Sequence, residues 1–190
     1  MHRHTLRAAG LLAAVAAMAA AGAVATADHR PGHVAKRSAA LRGYQEVPPI
    51  STPARGTFEA RLTRDREALR WRLRYANLEA DATQAHIHFG QAGVNGGIVV
   101  MLCSNLPTAP RGVRACPLRS GTVTGTARSG DVTGPADQGI EPGSFGELAA
   151  AIAAGATYAN VHSERFPNGE IRGQILPRGD RRGARHDGGS

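Results

Sequence analysis

The sequence predicts a mainly β fold, a sandwich or barrel of short antiparallel strands with one short helix. Three observations carry that prediction. Apolar and polar residues alternate through two consecutive segments, Thr57 to Leu62 and Leu69 to Tyr75, with the period of half-buried strands. Turn chemistry recurs between short runs rich in Val, Ile, Thr and aromatic residues. A single Ala-rich segment, opened by a capping pattern at Ser144, has helical character.

At the N-terminus, residues 1–27 read as a secretory signal. Arg3 and Arg7 precede an uncharged run from Ala8 to Ala27, which ends in the A-x-A cleavage pattern Ala25-Thr26-Ala27. The expectation is a secreted, extracytoplasmic protein. After cleavage it has no membrane span, because no second apolar run is long enough to cross a bilayer. Residues 28–39 are polar, contain Pro31-Gly32 and read as a linker. Residues 40–176 read as one domain, long enough for a real core. Residues 177–190, rich in Gly and Arg, read as a disordered basic tail.

Within the domain, Phe58, Ala60 and Leu62 alternate with Thr57, Glu59 and Arg61, and Leu69, Trp71, Leu73 and Tyr75 alternate with Arg70, Arg72 and Arg74. Arg64-Asp65-Arg66-Glu67 is a polar hairpin connection between them. Gln84 to Phe89 is a further strand. Gly97 to Leu102 is a continuous apolar run suited to a central strand, and Gly121 to Ala127 alternates Thr with Val and Gly. Ser144-Phe145-Gly146-Glu147 has the spacing of a capping box, with the helix running to about residue 154 and Gly155 as its stop. Ala156 to His162 and Glu170 to Leu176 form the last strand pair, joined by the turn residues Phe166-Pro167-Asn168-Gly169.

Lys and Arg number 23 against 15 Asp and Glu, a net charge of +8, and Lys36 is the one lysine. Arg3 and Arg7 belong to the leader, so the excess in the remainder is modest. The alternating arginines read as wet strand faces. Nucleic-acid binding is not expected, since no basic patch is interleaved with aromatic residues. Cys103 and Cys116 are the only cysteines. Export favours their pairing, and closing so short a loop contributes about 3 kcal/mol in the chain-entropy description.

The residues with chemistry to offer are histidines. Ala85-His86-Ile87-His88 puts two imidazoles on one strand face, about 7 Å apart along the chain. Ile87 then points to the core, and the histidines sit on the outer face or at a rim. His162 shares a strand face with Asn160 and Tyr158. If the two strands meet, three imidazoles converge, with nitrogens within about 4 Å of one another, because metal–nitrogen bonds are near 2 Å. Imidazole suits copper, zinc, iron and nickel. Glu164 or Glu170 is then available to orient a ligand through its second nitrogen, with Asn160 alongside. The competing reading is a structural network in which Glu170 and Arg172 pair with the histidines. A nucleophilic enzyme is not indicated: Ser163 points away from His162, and both cysteines are committed.

Four linked segments resemble one family. Leu41-Arg42-Gly43-Tyr44-Gln45-Glu46-Val47-Pro48-Pro49 resembles the opening of the CHRD domain, the repeat named for chordin. Ala85 to Gly90 with Asn95-Gly96, Tyr158 to His162, and Asn168 to Ile175 resemble its later segments in the same order. The resemblance implies an immunoglobulin-like Greek-key β-sandwich, distantly similar to copper/zinc superoxide dismutase. In that comparison His86, His88 and His162 correspond to three copper ligands, and the zinc-binding loop has no counterpart, since no His lies between His88 and His162. The combined expectation is a secreted binding or structural module rather than an enzyme, with an extracellular protein or surface ligand as partner. Copper or zinc is the expected metal at the three histidines. The alternative is a copper-only, dismutase-like redox enzyme.

Overall fold

A computed structural model of the chain describes residues 36–178. The expected signal segment, residues 28–35 of the expected linker and residues 179–190 of the expected tail lie outside the described residues. Among the described residues no helix is long and apolar enough to cross a membrane.

The expected strands form, and one more precedes them. In chain order they are β1 (Lys36–Arg42), β2 (Arg55–Leu62), β3 (Leu69–Ala76), β4 (Ala82–Phe89), β5 (Gly97–Ser104) and β6 (Gly121–Ala127). Helix α1 (Phe145–Ala153) follows, then β7 (Thr157–Ser163), β8 (Ile171–Gln174) and the short β9 (Leu176–Pro177). β1 corrects the linker expectation for residues 36–39. Lys36-Arg37-Ser38 shows no alternation on its own. Antiparallel pairing with β2, Lys36 opposite Arg61 through Arg42 opposite Arg55, makes the strand and turns Ala39 and Leu41 inward. The tail boundary moves as well, because Pro177 pairs with Arg37 in β9.

The strands make one sheet in the order β5-β4-β7-β8-β1-β2-β3-β6, with β9 beside β1. All named pairings are antiparallel. β7 lies beside β4 and β8 beside β1, long crossovers of the Greek-key kind. The sheet folds over on itself, so its two ends, β5 and β6, come near each other. Phe58, Leu69, Leu73, Ile87, Val99, Val161 and Ile171 fill the interior at 0% exposure. Each such side chain contributes about 1.5–3 kcal/mol by leaving water. Gly125 shows how tightly the wall packs: a Cβ there would lie 2.4 Å from the indole of Trp71.

α1 puts Phe145, Leu148 and Ile152 against this core. The capping box does not close. Ser144 makes no side-chain capping bond, and Glu147 contributes only its charge in the first turn. Packing of the apolar stripe therefore holds the helix, and Gly155, at φ 69°, ends it. Cys103 and Cys116 are bonded, with Cα atoms 5.0 Å apart. The bond ties β5 to the segment that leads into β6.

Candidate metal centre

The pairing of β4 with β7 builds the site. Ala85 and Ile87 point into the core at 0% exposure, so His86 and His88 leave the sheet on the other side. In β7, Ala159 and Val161 point inward, and Tyr158, Asn160 and His162 leave on the side of the histidines. Gln84 is opposite His162, His86 opposite Asn160 and His88 opposite Tyr158. His162 is thus the diagonal neighbour of His86, a separation that imidazoles bridge. The ring centroids of His86 and His162 are 5.0 Å apart, those of His86 and His88 5.3 Å.

The histidines leave the sheet on the face away from the core, as expected, but solvent hardly reaches them. His86, His88 and His162 are 1%, 8% and 7% exposed. Loops cover them. His88 Nδ1 is 2.9 Å from the Gly96 carbonyl in the β4–β5 loop, and His162 Nδ1 is 2.9 Å from the Pro167 carbonyl in the β7–β8 turn. A carbonyl only accepts, so both Nδ1 atoms carry the proton and both Nε2 atoms are bare. His86 Nδ1 is 3.2 Å from His162 Nε2, and it donates there. That leaves Nε2 of His86 and Nε2 of His88 buried without a partner. One ligand atom from each of the three residues lies within 4.8 Å of the others, a wider spread than the ~4 Å expected of a closed metal site.

Neither carboxylate expected to orient the ligands does so. Glu164 is exposed. Glu170 is wholly buried, but it accepts from Thr52 Oγ1 at 2.8 Å and from the Glu79 amide at 2.9 Å, and so anchors two loops instead. Backbone carbonyls take the orienting role. Asn160 Oδ1 lies 3.1 Å from His162 Nε2, but with that nitrogen bare both atoms are acceptors, so Asn160 adjoins the cluster without donating to or accepting from that nitrogen.

Arg172 serves the cluster without pairing with it. The residue is 2% exposed, and its guanidinium lies 3.4 Å from the centroid of the Tyr158 ring. The opposite face of that ring is the natural place for His88, whose imidazole stacks on Tyr158 at 4.7 Å and 3°. The guanidinium also donates to Asn95 Oδ1 at 3.1 Å and to the carbonyls of Gln91 and Val94 at 3.0 and 2.6 Å. It therefore fixes the loop whose Gly96 carbonyl orients His88.

Glu46 is the site residue that sequence reasoning missed. It comes from the opening motif, is 6% exposed and lies beside Asn160 under residue 169. It fits only because residue 169 is glycine. A Cβ there would lie 2.7 Å from Glu46 Oε1, and φ is 125°. Nothing in the local pattern around Glu46 marks it as buried. The signal is its place in a motif whose other members meet at the cluster.

Burial sets the protonation states. It pushes His86 down to about 3, with the neighbouring His162 and His88 adding to the effect. It pushes His88 down to about 4 against the Gly96 carbonyl, and lowers His162 against the Pro167 carbonyl. All three imidazoles are therefore neutral at neutral pH, the form that binds metal. Burial raises Glu46 to about 7, opposed by Arg172 and the Asn160 amide.

These shifts make stability pH-dependent. Unfolded histidines take protons below pH ~6.5 and the folded imidazoles do not, so acid favours unfolding from there down to the folded values. Glu46 acts in the opposite sense, holding its proton in the fold between ~4.5 and ~7 where the unfolded chain has lost it. Three imidazoles outweigh one carboxyl. The melting temperature of the metal-free protein should fall between pH ~6.5 and ~4.5, and more steeply in Glu46→Gln. A flat profile would show that the imidazoles are charged in the fold. Arg172→Lys keeps the charge but loses the planar fork and the ring stack, and denaturant unfolding should report a loss of about 2–4 kcal/mol. Stability within about 0.5 kcal/mol of the parent would remove Arg172 from this role.

Comparison with known proteins yields one match. No curated protein and no solved structure matches the chain. The CHRD domain profile matches residues 37–175. That span contains every strand pairing that builds the site, along with Glu46, the three histidines and Arg172, and the chain belongs to the CHRD domain family.

Proposed function

We propose that this CHRD domain is an extracellular binding module that holds one transition-metal ion, copper or zinc, at His86, His88 and His162. One observation carries the reading. In a closed structural network each buried nitrogen would have a partner, but Nε2 of His86 and Nε2 of His88 have none. Leaving such groups buried and unpaired is costly; a cation would accept these two lone pairs, and would take the third, on His162 Nε2, in place of the His86 N–H that reaches it here. Neutral imidazoles, each of the outer two fixed by a backbone carbonyl on its far nitrogen, form a donor set suited to copper or zinc. When bound, the ion supplies a fixed positive centre for a partner group or, as copper, a redox centre. The Cys103–Cys116 bond fits an oxidising compartment and supports secretion.

The cover over the cluster favours binding over turnover, since His88 and His162 are 8% and 7% exposed. The test is a titration of metal-free protein with Cu(II) and Zn(II), followed by dialysis and metal quantification. One ion per chain is expected, with a rise in stability of about 4 kcal/mol at a free-metal concentration ~1,000-fold above Kd. His88→Ala should abolish both. Parent protein that retains no stoichiometric metal would end the reading. Superoxide dismutation by the copper form, lost in His86→Ala, would instead establish the redox alternative.

A further inference from the structure

The outer surface of β1, β2, β3 and β6 lies apart from the histidine cluster, and its charge pattern is unusual. Alternation exposes the basic side chains while Phe58, Trp71 and Tyr75 turn inward. Register then sets the cations in rows. Lys36 is opposite Arg61, and Arg61 is opposite Arg70. Arg42 is opposite Arg55. Arg72 and Arg74 extend the pattern along β3. Glu59 is the one acidic residue in these four strands, and Arg178 engages it at 3.3 Å.

Like charges directly opposite each other destabilise a sheet. A surface shaped only for its own stability would alternate signs across such a row. Here one sign repeats through three strands, and the chain alone gains nothing from it. An anionic partner removes that repulsion. We propose that the outer face of β1, β2, β3 and β6 binds a linear acidic polysaccharide along its arginine rows.

The chemistry selects this partner among polyanions. The cations repeat at about 5 Å across the strands and about 7 Å along them, a spacing that suits a flat chain carrying a carboxylate or sulfate on successive sugars. All but one are arginines, whose planar fork takes such oxyanions in bidentate fashion. β6 borders the rows with the exposed hydroxyls of Thr122, Thr124 and Thr126, neutral partners for sugar hydroxyls. Beyond them, between β6 and β5, opens a cleft of about 740 Å³ lined by Arg70, Arg111 and Arg114, with Asp131 and the largely buried indole of Trp71 also in its wall. A concave end to the track with three arginines fits an acidic saccharide unit. A bilayer surface would have no use for the cleft. Single-stranded nucleic acid would call for exposed rings to stack on, and the rings of β2 and β3 point inward.

The test passes the full chain over immobilised heparin and measures binding to soluble polygalacturonate across a salt series, so that sulfate and carboxylate polymers are separated. Binding to at least one is expected, weakening steeply with salt. Arg61→Gln with Arg70→Gln should lower the affinity about ten-fold or more. It should leave the melting temperature equal or higher, because it relieves the repulsion. Arg72→Gln with Arg74→Gln, which face Glu59 and Thr57 instead, should give a loss of similar size. Arg119→Gln with Arg165→Gln removes the same charge elsewhere and should change affinity by less than about two-fold if the rows, not net charge, do the binding. The proposal is overturned by no binding to either polymer, by equal loss in the Arg119/Arg165 variant, or by a lower melting temperature in the Arg61/Arg70 variant. Tighter binding to duplex DNA or to phosphatidylglycerol vesicles at matched salt would overturn it as well.

Discussion

A buried guanidinium organises this domain. Arg172 stands on β8 with its neighbour Ile171 in the core, so it must leave the sheet on the histidine side. Taking a cation out of water costs several kcal/mol unless its donors and its charge are answered. Here two carbonyls, the Asn95 amide oxygen and the face of Tyr158 answer them. Each of those partners belongs to the surroundings of the histidine cluster. The loop it grips carries Gly96, and the ring it covers stacks on His88. The cost of one buried charge thus becomes the rigidity of one imidazole.

The same logic explains why separated motifs form a single unit. Glu46 enters from the β1–β2 connection and sits under the β7–β8 turn, beside Asn160 and in the field of Arg172. Glu170 ties the segments at Thr52 and Glu79 to the start of β8. Gln174 donates to the carbonyls of Gly90 and Gly155, at 2.9 and 2.7 Å, closing the far end. Polar side chains on one side of β4, β7 and β8 therefore hold the loops, while the apolar side of the same strands holds the core. Such a shell fixes the three imidazoles in place, which would reduce the ordering cost of binding an ion.

Much of this was legible in the chain. Alternation in β2 and β3 gave both their pairing and their inward faces, because a two-residue period has one solution when one side is wet. The spacing His86-Ile87-His88 gave the shared face, and two cysteines, read with the expectation of export, gave the disulfide. What escaped was whatever depends on partners distant in sequence. β1 exists because β2 and β8 flank it, not because Lys36-Arg37-Ser38 prefers a strand. The burial of the histidines comes from loops laid over them, and no local pattern encodes a loop's resting place. Glu164 and Glu170 were reasonable orienting groups by proximity in sequence. Carbonyls did the work, and every residue carries one.

The central claim is that three neutral imidazoles in a rigid polar shell hold a metal ion. X-ray absorption at the copper or zinc edge of the loaded full chain tests it most directly. The account predicts a first shell containing three imidazole nitrogens near 2.0 Å, reduced by one in His162→Ala. A shell of oxygens, or one unchanged by that substitution, would place the ion elsewhere and contradict the account.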